Sequence, residues 1–383
     1  MVHKFDCGIG GMESHQRAFF SFFFVQSGRE RFPFKYIVEQ TNSGFKMTEY
    51  ADGRKLMGTR SGPLTRIKEA LTVSPNETLL FFFNDGWWIE QVGFLRGLFP
   101  DSKMLIRIGG NEIGLAPWSR CQLSYKERRC LWQRELDRMD YIIANSDYTV
   151  SALRELNITR PIVVKIRGGV DECLCRSLRD RKDLMKQELR MRLGITKRIV
   201  LAFACRFVPF KGIIPALSSL SNTELFKDCF VILMGSGVLH EEILTWCQNH
   251  LDQTQFAYLG ERPNEEVLKV LSAVDLLLNP SLYLKTNSGD GVYFHTETMG
   301  RTMMESLTVG TKVLATDVGG TAELFDECQG AGILVKPEGS SIQAGFEKVE
   351  ELLQQPMTII DYSWEAVFEQ YIALFVEPDR YER

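Results

Sequence analysis

The chain has 383 residues, 44% apolar and 25% charged, a globular composition with room for two domains rather than one. Lys and Arg number 45 against 49 Asp and Glu, and the formal charge of −4 speaks against a general nucleic-acid binder. The longest apolar runs, residues 18–25 and 79–83, fall far short of the ~20 residues that span a bilayer. Asp6, Glu13 and His15 interrupt any leader-like opening, so the expectation is a cytoplasmic protein, peripheral at most to the inner membrane face. The 9 cysteines, from Cys7 to Cys328, form no CxxC, which fits reduced thiols and predicts no metal site.

In chain order, near-continuous apolar runs predict strands over 78–83, 104–108, 141–144, 162–166, 199–204, 230–234, 275–279 and 312–315. Amphipathic segments at 14–26, 125–138, 150–156, 241–250, 264–272 and 302–308 predict helices between them. Alternation of this kind means βαβ units, and hence an α/β fold of two doubly wound, Rossmann-like parallel sheets. Between the two sets lies a charged stretch, 176–198, with 9 Lys or Arg against Asp180, Asp183 and Glu188. It reads either as a solvated linker and helix or as a surface for anionic lipid headgroups. A last amphipathic piece, 362–375, carries Trp364, Val367, Phe368, Tyr371, Ile372 and Phe375 on one face.

Five constellations are candidates for chemistry. Gly8, Gly10 and Gly11 precede a helix, where backbone N–H groups can approach a phosphate, although a tight turn without a ligand has the same pattern. Gly235-Ser236-Gly237 lacks a third glycine, because His240 stands there, which disfavours a nicotinamide site. Arg206 and Lys211 flank the turn after the strand 199–204. Ligands of open α/β sheets bind beyond the carboxyl ends of strands, and a guanidinium fork with an ammonium suits a diphosphate. In 295–306, Glu297 and Glu305 lie around Gly300; Thr302 and Glu305 match a helix capping box, whereas Glu297 has no such structural reason and is free to accept sugar hydroxyls. On the acceptor side, Asn84-Asp85-Gly86-Trp87-Trp88 and then Arg107 and Asn111 follow two strands. They read as a sugar platform or as two tryptophans packed under a loop.

In this order the motifs resemble the retaining glycosyltransferases of family four, on the GT-B fold. The resemblance runs over the whole chain, through the opening glycines, 144–149 with 167–171, Arg206 to Gly212, Asn279-Pro280-Ser281, Glu297 to Glu305, 315–324 and 363–365. It implies two Rossmann-like domains, 1–171 on the acceptor side and 172–360 on the nucleotide-sugar side, facing across a cleft, with a helix in 361–383 crossing back to the first. It further implies that Gly10 and Gly11 approach the donor diphosphate, which Arg206 and Lys211 neutralise. Glu297 would hold the donor sugar, Gly300, Arg301 and Thr302 would present backbone donors, Glu305 would bind the ribose, and Arg262 would meet the base. Ile108 is followed by Gly109-Gly110-Asn111 where the family often has a His, Thr298 and Met299 replace Gly and Phe, and the loop 282–296 is long.

The expected activity is therefore retaining, metal-independent transfer of a hexose, best taken as glucose from UDP-glucose, to a glycan or lipid-linked saccharide in polysaccharide biosynthesis, with no cofactor. No D-x-D occurs, so Arg206, Lys211 and helix N–H groups would meet the leaving-group charge. The proton would go to the leaving phosphate; His15, His295 and Asp85 are the alternative bases. A nucleotide-sugar epimerase and a catalytically idle sugar-binding module remain alternatives.

Overall fold

The computed structural model describes residues 2–3, 11–25, 36–41, 44–51, 54–71, 79–84, 86–110, 113, 123–288, 291–360, 362–377 and 380. The chain divides into two compact units, one of residues 1–168, 287–293 and 364–383, the other of 169–286 and 294–363. The first break thus follows Gly168, where the sequence reading drew it after Asp171, and residues 287–293 leave the second domain for the first unit.

Among the described residues the sheet of the first unit has eight strands: β1 (Val2–His3), β2 (Tyr36–Thr41), β3 (Gly44–Ala51), β4 (Arg54–Gly62), β5 (Leu80–Phe83), β6 (Lys103–Ile108), β7 (Tyr141–Ala144) and β8 (Ile162–Lys165). Their order is β4-β3-β2-β1-β5-β6-β7-β8, parallel from β2 through β8 and antiparallel over β2-β3-β4. The parallel strands are the Rossmann-like sheet that the sequence predicts, and β3 and β4 add an antiparallel edge to it. The antiparallel edge alternates, with Phe45 and Met47 buried and Lys46 exposed, which is the signature of a strand with only one face covered.

Successive residues of the central strands feed two cores. Phe81, Phe83, Ile106 and Ile142 face one; Phe82, Leu105, Tyr141 and Ile143 face the other. The second core is closed by the helix Gly11–Phe20 and by the C-terminal helix Trp364–Val376. Phe368 is fully buried there, its ring 5.1 Å from Phe22 and 5.5 Å from Phe19.

The second unit has six parallel strands, β9 (Ile199–Ala204), β10 (Cys229–Met234), β11 (Phe256–Gly260), β12 (Leu276–Asn279), β15 (Lys312–Thr316) and β16 (Gly332–Val335), in the order β11-β10-β9-β12-β15-β16. β9, β10, β12 and β15 are buried along their whole length, with alternate residues again serving two cores. Between β12 and β15 stands the hairpin of β13 (Leu284–Ser288) and β14 (Gly291–His295), which is what the long loop 282–296 forms.

The charged stretch is no free linker. It forms the helices Glu172–Asp180 and Lys182–Leu193, which bury Cys175, Leu178 and Leu189 in one of the two cores of the second unit. Several of its cations face inward. Arg179 donates to Thr308 O at 2.6 Å, Lys182 to Gly310 O, and Lys186 pairs with Asp275 at 2.7 Å. Two of these neutralise the carbonyl end of the helix Arg301–Thr308, where cations are favoured. The lipid-surface reading loses these charges.

Candidate functional site

The polar cluster of the second unit begins where β9 ends. The chain turns through Arg206 and a short helical turn, Pro209–Lys211, then through Gly212 with φ at +63°. A Cβ at Gly212 would collide with Pro280 O, so only glycine lets this turn lie against the end of β12. Lys211 Nζ thereby meets Glu297 Oε2, an ion pair whose side chains are 13% and 14% exposed. Ser281 Oγ, at the end of β12, donates to the same oxygen at 3.4 Å, and Gly300 N donates to Glu297 Oε1 at 3.3 Å.

The backbone of Glu297 is fixed as well. Gly320 N donates to Glu297 O at 3.0 Å, and Gly319, at φ +59°, passes so close that a Cβ would strike the same carbonyl. Glu297 therefore presents a carboxylate anchored from three sides beside a cation, with Gly300 opening the helix Arg301–Thr308 next to it.

Arg206 is exposed, and its charge reaches the same cluster. Burial, and after it Arg206, holds the His295 imidazole below its usual range. Burial pushes the Cys205 thiol up to about 11, against the pull of Lys211 and Arg206 and with the push of Glu297. The His295 ring lies against Phe210, 6.0 Å between centroids, and the Lys211 ammonium sits 5.3 Å over the same Phe210 ring.

Glu305 is buried and differently bound. Its Oε1 accepts from Arg301 Nε at 2.9 Å and from Asn264 Nδ2 at 2.8 Å. The capping box expected of Thr302 and Glu305 does not form. Gly300, in the left-handed region at φ +78°, occupies the cap position, and Thr302 lies two residues past it, inside the helix. Arg262 is exposed two residues before Asn264, just beyond the end of β11. The structure thus joins Lys211, Glu297, Gly300 and, through its charge, Arg206, and it sets Glu305 with Arg301 in a second group. Sequence reading gave no role to Ser281 or Asn264; Asn279-Pro280-Ser281 was noted only as a motif, although Ser281 touches the carboxylate.

In the first unit the outcome is different. Gly10, Asp85 and Asn111 lie outside the described residues, and Gly11 begins its helix. His15 does not face solvent, as an acceptor base would. It is 1% exposed, with Phe19, Trp364, Phe368 and Tyr371 around it, and its Nε2 lies 3.2 Å from Tyr371 Oη. Arg107 is also buried and hydrogen-bonds the same hydroxyl, while burial pushes the Tyr371 phenol up to about 12. Asn84 follows β5, fully buried, and among the described residues neither atom of its amide has a hydrogen-bond partner. Trp87 and Trp88 lie in a short helical turn, Gly86–Gln91.

Among the described residues no group of three or more His, Cys, Asp or Glu is placed to hold a metal ion, and no helix is long and apolar enough to cross a membrane.

Residues 185–363 match the model of the family glycosyl transferases group 1. A curated relative, D-inositol 3-phosphate glycosyltransferase of Corynebacterium urealyticum, is 24% identical over 271 residues, 65% of this chain; the chain spans 59% of that relative's length. Among solved structures, Anabaena HepE in complex with UDP-glucose superposes with a TM-score of 0.63 at 17% identity, over 98% of each chain. Sucrose-phosphate synthase of Thermosynechococcus elongatus gives 0.61 at 16%, over 89% of this chain and 87% of its own. At such identities these two likenesses establish the fold. Residues 185–363 are thus a glycosyl transferases group 1 domain, carried on a chain with the GT-B fold.

Proposed function

We propose that the chain transfers a hexose with retention from a nucleoside diphosphate sugar, best taken as UDP-glucose, to a glycan or lipid-linked saccharide, without a metal ion. The observation that carries this reading is the anchored Glu297 carboxylate paired with Lys211 at the turn after β9. A diphosphate leaving group needs cations fixed before the reaction, because charge develops on its oxygens as the glycosidic bond breaks. Lys211 has three ammonium donors and spends one on Glu297; Arg206 adds a permanent guanidinium at the rim.

In this reading Glu297 accepts hydrogen bonds from the donor sugar's hydroxyls, and its three anchors keep it from following the sugar as the ring flattens. The anomeric C–O bond breaks with its electron pair going to the diphosphate. The acceptor oxygen forms the new bond on the same face, and its proton passes to the departing phosphate oxygen. Glu305, held by Arg301 and Asn264, is assigned to the ribose, and Arg262 to the base. The relative crystallised with UDP-glucose supports the choice of donor. The test is incubation with UDP-glucose and a panel of polysaccharide and lipid-linked acceptors, with product linkage read by NMR. An α-linked product supports the reading; a β-linked one overturns retention, and glucose epimerised without acceptor overturns transfer.

A further inference from the structure

The first unit contains a cavity of about 370 Å³ lined by Arg96, Pro100, Asp101, Ser102, Lys103, Arg138, Asp140 and Arg160. It lies at the amino ends of β6, β7 and β8: Lys103 begins β6, Asp140 precedes β7, and Arg160 stands shortly before β8. This is the end of the sheet opposite to Asn84 and Arg107. Four cationic side chains face two carboxylates, and the carboxylates do not balance them.

Asp140 is consumed by the frame. Its Oδ2 accepts from Arg96 Nη2 at 2.8 Å and from Met104 N at 2.7 Å. Arg96 also donates to Arg138 O at 2.7 Å and to Ser102 O, so it stiffens the wall of the cavity. Arg138 shares its charge with the buried Glu135 at 3.1 Å. Among the described residues neither Lys103 nor Arg160 has an ion-pair partner. Cations in excess over carboxylates in a concave wall leave a positive potential there that concentrates anions. A guanidinium fork and an ammonium beside it match phosphate oxygens.

We propose that this cavity is a second anion site, separate from the cluster around Glu297, which takes a phosphate or diphosphate group between Lys103 and Arg160. The group could belong to a free phosphate compound or to a lipid headgroup, and one experiment separates these sources. Inorganic pyrophosphate is titrated calorimetrically into the full chain with UDP present in excess, so that any UDP-binding site is occupied. In parallel, vesicles of phosphatidylcholine with and without phosphatidylglycerol are tested by co-sedimentation. Both assays are repeated with Lys103→Ala/Arg160→Ala, whose two positions are half-buried and exposed and whose folding is checked by circular dichroism.

One pyrophosphate bound in the presence of UDP, weakened at least tenfold in the double variant, supports a site for a soluble phosphate. Binding to phosphatidylglycerol vesicles that the double variant loses, with no pyrophosphate uptake, supports a headgroup site. Absence of both in the wild-type chain, or binding indifferent to the substitutions, overturns the proposal. None of these outcomes touches the assignment of Glu297, since UDP is held constant throughout.

Discussion

The carboxyl ends of the two central sheets carry similar residue types put to opposite uses. Beyond β9 and β12, Lys211 and Glu297 stand at a partly open surface, each fixed by short-range bonds. Near the carboxyl ends of β5 and β6, Arg107 and His15 are buried against Tyr371 of the helix Trp364–Val376. The first arrangement keeps charge available at a cost in desolvation, and the second spends its polar groups on holding three distant segments together. A cationic side chain at the end of a buried strand is therefore not by itself a sign of a binding site; what covers it decides.

The broadest way to separate the two units is alkaline pH. In the second unit burial pushes the thiols of Cys175, Cys229 and Cys247 up to about 12 and that of Cys205 up to about 11, from 9.0. A raised acid keeps its proton in the folded chain after the unfolded chain has lost it. Its contribution is complete below the unfolded value and drains as pH climbs through the folded one. Lys182, lowered from 10.5 to about 8 by burial and then by Lys186, and Lys312, lowered by burial, oppose this, because a lowered ammonium gains stability as pH rises toward its unfolded value. The first unit has Tyr371, which starts to lose its share only above 10. Urea melts from pH 8 to 11, followed by hydrogen exchange, should show the second unit weakening from about pH 9 and the first later. Simultaneous loss in both units would contradict the assignment.

Phe368→Ala acts on the first unit alone. It removes a fully buried ring packed on Phe19, Phe22 and Trp364. The expected cost is about 3–5 kcal/mol, the range for large aromatic truncations. Differential exchange should place the loss on the helix Gly11–Phe20 and on β5, with β9 and β10 still protected. Protection lost evenly in both units would mean that they unfold together.

Glu297→Ala should reduce transfer by about 10²–10³-fold or more, equivalent to about 3–4 kcal/mol in the barrier, with UDP bound nearly as well as before. Equal losses for UDP and UDP-glucose would move the carboxylate to the nucleotide. Arg206→Ala should instead weaken UDP itself, by about tenfold, less at high salt because the residue is exposed. Calorimetry showing unchanged UDP affinity would remove Arg206 from the diphosphate.

How far these features could be read beforehand follows from their physics. β7 and β9 matched residue for residue, because strands buried on both faces leave unbroken apolar runs. The edge strands β2 to β4 alternate with polar residues and escaped notice, as did β11, whose five residues are each only partly buried. Arg206, Lys211 and Glu297 were legible from motif spacing, while the ion pair between positions 86 apart came only from the turn at Gly212. The tie between His15 and Tyr371 spans 356 positions, and no local pattern encodes it. His15 in particular looks like a catalytic base in sequence because nothing in its neighbours shows that a C-terminal helix will cover it.

Tyr371→Phe offers the smallest and most discriminating effect. Phenylalanine fills the same space, so the packing on Phe19, Phe82 and Phe375 remains and only the hydroxyl is lost. That hydroxyl joins His15, on the helix that Gly11 opens, to Arg107 at the end of β6. Removing it takes one bond from each of two buried polar groups, at a cost of about 1–3 kcal/mol. If the sealed cluster is structural, the variant melts earlier, yet its UDP affinity and kcat stay at wild-type values. The alkaline weakening of the first unit above pH 10 should also shrink, since its raised phenol is gone. A variant of unchanged stability with a lowered kcat would reverse the comparison, because it would put His15 and Arg107 in the chemistry after all.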